Sequence, residues 1–254
     1  VVRLFNVSAG VSLTLKNLTL INGRAIGLDG EPTLDGGEGK GGAILVTGGE
    51  LSLIGCRVSA NIAVGGAGGN GNLDFRGTPM NFGSGGAAFA GAIYIDGGAL
   101  SATNCEFAGN TALGGDGGIT ASYILVPPPK TGGNACGGAI FNHNGTLNLN
   151  NCLFSGNSVI GGGGPRNINI SYANVSGQGM GGSLFNDGGI VVVTNCSFVL
   201  NHSSSTESIP TPSMGGIGST NAGGAIYSVG GDVVIAATQF GTNTVFGGNE
   251  RENT

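Results

Sequence analysis

One offset recurs five times in this chain and leaves few folds open to it. Gly41-Gly42-Ala43-Ile44 aligns with Ala90-Gly91-Ala92-Ile93, Gly137-Gly138-Ala139-Ile140, Gly181-Gly182-Ser183-Leu184 and Gly223-Gly224-Ala225-Ile226. Nineteen residues after the second position of each block stands an asparagine: Asn61, Asn110, Asn157, Asn201 and Asn243. Between these anchors the copies also agree. A turn pair falls at Gly48-Gly49, Gly97-Gly98, Asn144-Gly145, Gly188-Gly189 and Gly230-Gly231. Cys56, Cys105, Cys152 and Cys196 share one position, taken by Thr238 in the fifth copy, and Val58, Phe107, Phe154, Phe198 and Phe240 share another. The spacing between copies falls from 49 to 47, 44 and 42 residues, and all of that variation lies between the asparagine and the next Gly-Gly. The chain therefore reads as one domain, 1–254, with repeat cores at 41–61, 90–110, 137–157, 181–201 and 223–243. Inserts of variable length (62–89, 111–136, 158–180 and 202–222) follow the cores at one corner. A degenerate first copy within 1–23, centred on Val11–Leu20, makes six units, and 244–254 is a tail.

Self-similarity at this period signals a stacked repeat architecture. Within each core, Leu147-Asn148-Leu149-Asn150 and Leu51-Ser52-Leu53 alternate apolar and polar as a half-buried strand does. Ile44, Ile93, Ile140, Leu184 and Ile226 mark a second short strand, and the Cys-x-Phe stretch that ends at the asparagine marks a third. Three short strands per repeat, separated by Gly and Asn, predict one coil of an all-β, single-stranded parallel β-helix of about six coils. Each strand then pairs with its copy about 4.8 Å away. Equivalent residues stack in columns: aliphatic, Phe and Cys columns inside, and an Asn column whose amides can bond from coil to coil.

Blocks of Gly-Gly-Ala-Ile followed by Phe-x-x-Asn, as in Phe107-Ala108-Gly109-Asn110 and Phe154-Ser155-Gly156-Asn157, resemble the repeats of the chlamydial polymorphic outer membrane proteins and of large bacterial β-helix surface proteins. The resemblance covers residues 41–243. It implies a right-handed parallel β-helix, exported and displayed at the cell surface, often adhesive or structural. The long inserts depart from that family, and no C-terminal membrane-barrel pattern follows the repeats.

Composition closes off other classes. Of 254 residues 55 are Gly, and only 9 % are charged, with nine Lys+Arg and a net charge of -5. Nine scattered cations build no nucleic-acid surface. So much Gly is incompatible with helical bundles. Collagen is excluded because Gly does not recur at every third residue along the chain. With 39 % hydrophobic residues the chain can bury a core, and no apolar run is long enough to span a bilayer as a helix.

The best-known enzymes on β-helices act on acidic polysaccharides, so paired carboxylates and Ca²⁺-binding clusters matter. One polar column qualifies for scrutiny: Asp96, His143 and Asp187 occupy equivalent positions in successive coils, an imidazole between two carboxylates. The bland reading is a row of polar residues on a solvated turn. Asp29, Glu31, Asp35 and Glu38 give the first insert an acidic patch where Ca²⁺ could bind near Asp29 and Asp35, without the fixed spacing of a calcium loop. Otherwise no cofactor is expected. The four stacked cysteines, more than 40 residues apart, match no zinc signature. They read as buried thiols rather than bridges, because parallel side chains seldom offer disulfide geometry. Cys136, in an insert, is either a lone thiol or a partner for a ladder member.

Tyr123–Val126 and Ile168–Tyr172 in the inserts are apolar enough to pack on the flank of the helix, and His202–Ser213 resembles a glycan-bearing stretch. Seven sequons occur, at Asn6, Asn17, Asn144, Asn169, Asn174, Asn195 and Asn201. Outward positions Ser52, Ser101, Asn148 and Val192 form no threonine array of the kind an ice-binding face needs. The opening Val1-Val2-Arg3 reads as a processed or excised segment, and neither end shows an amphipathic cap, so the chain reads either as a fragment of a longer β-helix or as one whose open ends meet those of neighbours. The expectation is an extracellular or surface structural or adhesive β-helix that stacks head to tail and meets carbohydrate or a cell surface. A polysaccharide lyase or glycoside hydrolase on the same scaffold is the alternative.

Overall fold

The computed structural model describes residues 2–71, 82–120, 130–164, 166–167, 175–206 and 220–246. Four sheets, each of six parallel strands in coil order, form the walls of a parallel β-helix. The first sheet runs from Phe5–Ser8 to Ile226–Val229, the second from Ser12–Lys16 to Asp232–Ala236, and the third from Thr19–Ile21 to Gln239–Gly241. The fourth, from Arg24–Ile26 to Thr244–Val245, is absent from the three-strand expectation. It lies after the asparagine, where Ile62–Val64, Thr111–Leu113, Ser158–Gly161 and His202–Ser205 open what reads as insert. The first coil accordingly extends to Ile26, with Gly23 at the asparagine position.

The columns stack as the repeat requires. Phe107, Phe154 and Phe198 are fully buried. Their rings lie 4.7 and 4.6 Å apart, tilted by only 4° and 2°, an arrangement set by strand spacing. Phe240 continues the stack at 5.1 Å but is half exposed on the last coil. The inner columns of the first two sheets are aliphatic, except that Asn142 and Asn186 stand in the column of Val46 and Ile95. Asn142 Nδ2 donates to Asn186 Oδ1 at 2.8 Å, so this intrusion is partly paired.

Corners are made by left-handed residues. Between second and third sheets stand Asn17, Gly55, Asn104, Asn151, Asn195 and Ala237, all at positive φ. Between third and fourth stand Asn22, Ala60, Gly109, Gly156, Leu200 and Thr242. Leu200 (φ +56°) is the misfit in this row, since a branched side chain in this region costs about 1–2 kcal/mol and its own side chain is exposed. Leu200→Gly is expected to raise stability by about 0.5–1 kcal/mol, after the added freedom of the unfolded chain is subtracted. Equilibrium urea unfolding would show it as a higher midpoint, and an unchanged or lower midpoint would refute the strain.

The inserts are more regular than loops. Beyond the first four fourth-sheet strands the described chain runs outward, and a returning arm leads back to the next Gly-Gly block. Along the second outgoing arm the N–H groups of Gly65, Gly68 and Gly71 bond to Leu113, Asp116 and Ile119 of the next outgoing arm, and those of Gly66 and Gly69 to Gly37 and Leu34 of a returning arm. Ala67 N–H turns outward to Asp29 Oδ1. Three directions repeating every three residues is the period of a polyproline II helix. Such a chain can be hydrogen-bonded sideways only where Cβ atoms are missing. A Cβ on Gly65 or Gly115 would collide with the carbonyl of Gly86 or Gly66. The arms thus stack as a two-layer slab. Gly-Gly-x does recur locally, in Gly65–Gly71 and Gly114–Gly118, so the absence of a glycine period holds for the chain and fails for the arms.

The returning arms, including the four-stranded set from Gly39–Lys40 to Gly179–Met180, press on the outside of the first sheet. They bury a second aromatic stack, Tyr94, Phe141 and Phe185, with ring separations of 5.2 and 5.0 Å. Burial there, followed by the charge of Asp96, pushes the Tyr94 hydroxyl up to about 12. Tyr123–Val126, Ile168–Tyr172 and the 207–213 part of the glycan-like stretch lie outside the described residues.

Candidate functional site

Three constellations carry the chemistry that the sequence singles out. The asparagine column is a continuous ladder. Nδ2 of Asn61, Asn110, Asn157 and Asn201 donates to Oδ1 of the next member at 2.9, 2.9, 3.0 and 2.9 Å. Each Nδ2 also donates to a carbonyl of the preceding coil: Leu20, Val58, Phe107 and Phe154, and Phe198 for Asn243. Each Oδ1 accepts the backbone N–H of the member before it, Gly23 standing first. With every polar atom engaged, these side chains serve the fold. Asn201 is fully buried within it, so its sequon offers no free amide, whereas Asn6, Asn17, Asn144 and Asn195 are exposed.

The polar column is assembled as expected, on the exterior. Asp96, His143 and Asp187 are register partners. His143 Nδ1 lies 2.8 Å from Asp187 Oδ2, and its Nε2 lies 4.0 Å from Asp96 and 3.1 Å from Asn144 Nδ2. All three side chains are 40–53 % exposed. An imidazole oriented by a carboxylate is competent for proton transfer in principle. This one stands on an open turn where, among the described residues, no walls exclude water from it.

Asp29 and Asp35, the calcium candidates, sit on different arms of the slab. Asp29 caps the Ala67 N–H, and Asp35 accepts from Ser84 N–H while pairing with Lys130 Nζ at 2.7 Å. The hydrogen bond from Lys130 comes first among the causes that hold the Asp35 carboxyl below its ordinary range. Asp116 repeats the capping role on Gly163 N–H. Among the described residues no group of three or more His, Cys, Asp or Glu gathers into a metal centre.

All five cysteines are free and buried. Cys136 is remote from the ladder, on a returning arm and packed beside Phe141, and burial pushes its thiol up to about 12. In the ladder, hydrogen bonds to Cys105 and then Cys196, with burial, hold the Cys152 thiol well above the usual range, and the hydrogen bond from Cys152 draws Cys105 and Cys196 down.

The ends differ from each other. Val2–Leu4 cross the first coil: Arg24 N–H donates to Val2 O, Leu4 packs on the core, and Arg3 donates to Gly41 O and Lys40 O. This short cover corrects the expectation of two bare ends. On the last coil, inward-facing Ile235 (44 %), Phe240 (50 %) and Val245 (44 %) are exposed, although the interior members of their columns, Leu149, Phe198 and Val159, are buried. No family description, curated protein or solved structure matches the chain.

Proposed function

We propose that this chain is an extracellular or cell-surface structural β-helix, adhesive in use, that joins further copies of itself through its last coil. The observation that supports the reading is the apolar face that Ile235, Phe240 and Val245, each 44–50 % exposed, form on the last strands among the described residues. Strand edges that stay exposed invite pairing. At the other end Val2–Leu4 cross the first coil. A head-to-tail contact is heterologous and does not close, so it propagates as a fibre. A surface poor in charge and rich in Gly, Asn, Ser and Thr fits a packed assembly or contact with carbohydrate better than a free monomer. Among the described residues no helix is long and apolar enough to cross a membrane.

Sedimentation and negative-stain microscopy across a concentration series test the reading. Growth of linear assemblies with concentration is expected, and loss of them in Ile235→Lys and Phe240→Asp, whose side chains are 44 and 50 % exposed on the last coil, with circular dichroism verifying that each variant keeps its fold. A monomer at every concentration, or fibres indifferent to both substitutions, would overturn it. The competing lyase or hydrolase reading draws on Asp96, His143 and Asp187. Their exposure on an unwalled turn is why the structural reading is preferred.

A further inference from the structure

Just past the corner built on Asn104, Asn151 and Asn195, where the chain turns from the second sheet to the third, the surface is indented. The depression measures about 320 Å³, and its lining includes Asn151, Asn195, Ser197 and Gln239 together with two stacked thiols, Cys152 and Cys196. Both cysteines are 3 % exposed, as Cys105 is, and they are the two ladder members that line this depression. The walls carry no charge. One donor is already aimed at sulfur, the Cys152 backbone N–H meeting Cys196 Sγ at 3.3 Å, while each thiol donates to two carbonyls, Ala102 O and Asn150 O for Cys152 and Leu149 O and Thr194 O for Cys196, bonds that a metal would replace.

Geometry decides what two such thiols can hold. Ser197 N–H bonds to Cys152 O, so the two coils are adjacent, about 4.8 Å apart at this register. A disulfide wants Cβ atoms about 3.8 Å apart, closer than side chains leaving parallel coils at that spacing. Two metal–sulfur bonds of about 2.3 Å placed in line span about 4.6 Å, close to the spacing of adjacent coils. Zinc would need four ligands, and no third His, Cys, Asp or Glu joins the pair among the described residues. Thiolates with nothing else to offer select soft cations.

We propose that Cys152 and Cys196 bind one soft monovalent cation of the copper(I) class in linear two-coordination, entered through the depression. Both S–H bonds break, two sulfur–metal bonds form, and the two protons leave to water. The cation keeps its oxidation state, since coordination alone deprotonates the thiols. The site is independent of fibre formation and of the polar column.

Silver(I) is the probe. The full reduced chain is mixed with silver(I) under nitrogen, desalted and weighed by native mass spectrometry. One retained silver per chain is expected. Occupancy should fall at least tenfold in Cys196→Thr and in Cys152→Thr/Cys196→Thr, and remain in Cys136→Ala. Threonine is the chosen replacement because Thr238 already occupies this register and bonds the Cys196 N–H as sulfur does elsewhere, and circular dichroism of each variant verifies the coil. No retained silver, silver undiminished in Cys196→Thr, or uptake only after urea would each overturn the proposal.

Discussion

Asn157→Ala is expected to destabilise the fold by about 4 kcal/mol, because it strips partners from buried groups that nothing else can reach, each worth about 1–3 kcal/mol. Asn157 is fully buried at the middle of the ladder. Its Oδ1 accepts from both N–H and Nδ2 of Asn110, and its Nδ2 donates to Phe107 O and Asn201 Oδ1. Alanine leaves the Asn110 N–H without an acceptor and takes a donor from Phe107 O in the same stroke. Aspartate should do worse, since it keeps the acceptor but aims a second oxygen at Phe107 O and Asn201 Oδ1. At the last coil Asn243 makes the same bonds half-exposed, where water can replace them, so Asn243→Ala should cost less than half as much. Urea unfolding of the three variants decides it. Equal losses at Asn157 and Asn243 would show that the ladder contributes by local shape rather than by buried pairing.

The ladder could be read from the sequence because stacking obliges each coil to repeat the same residue at the same offset, and asparagine, cysteine and phenylalanine are distinctive enough to be seen. Other features had weaker marks. The fourth sheet escaped because its inner column is Ala63, Ala112, Val159 and Ser203, small residues without an apolar signature, on strands of two to four residues. Tyr94, Phe141 and Phe185 alternate on the outward face of the first sheet, where a period of two assigns them to solvent. Only the returning arms, far along the chain, make that face interior. The corner asparagines Asn104, Asn151 and Asn195 share a column too, adjacent to the cysteines, and their positive φ explains why glycine substitutes at position 55. Asp96, His143 and Asp187 were found as neighbours from offsets alone; what offsets do not contain is whether walls rise around a column, and here none do. Val2–Leu4 gave no signal because a single crossing segment has no repeat to compare with.

Gly115→Ala should have the second large effect, and it separates the slab from the helix. Gly115 N–H bonds to Gly86 O, and its own carbonyl accepts from Gly133 N–H and Gly162 accepts into the same lattice through Gly177. A Cβ there would overlap the Gly66 carbonyl oxygen, with the Gly66 carbonyl carbon only 2.6 Å away. Both obstacles are backbone, tied in turn to Gly37 and Gly86, so no side chain can turn aside and the layers must part. Overpacking of this kind costs about 3 kcal/mol or more. By contrast Gly109→Ala meets nothing within 4 Å and pays only for its φ of +60°, about 1–2 kcal/mol. Hydrogen exchange distinguishes the two. In Gly115→Ala the amides of Gly66, Gly86 and Gly133 should lose protection while those of Asn61, Asn110 and Asn157 keep theirs, since each coil wall is bonded independently of the arms. Should ladder and slab amides lose protection together, the arms would be part of one cooperative unit with the β-helix, and the second aromatic stack beneath them would be the joint that makes it so.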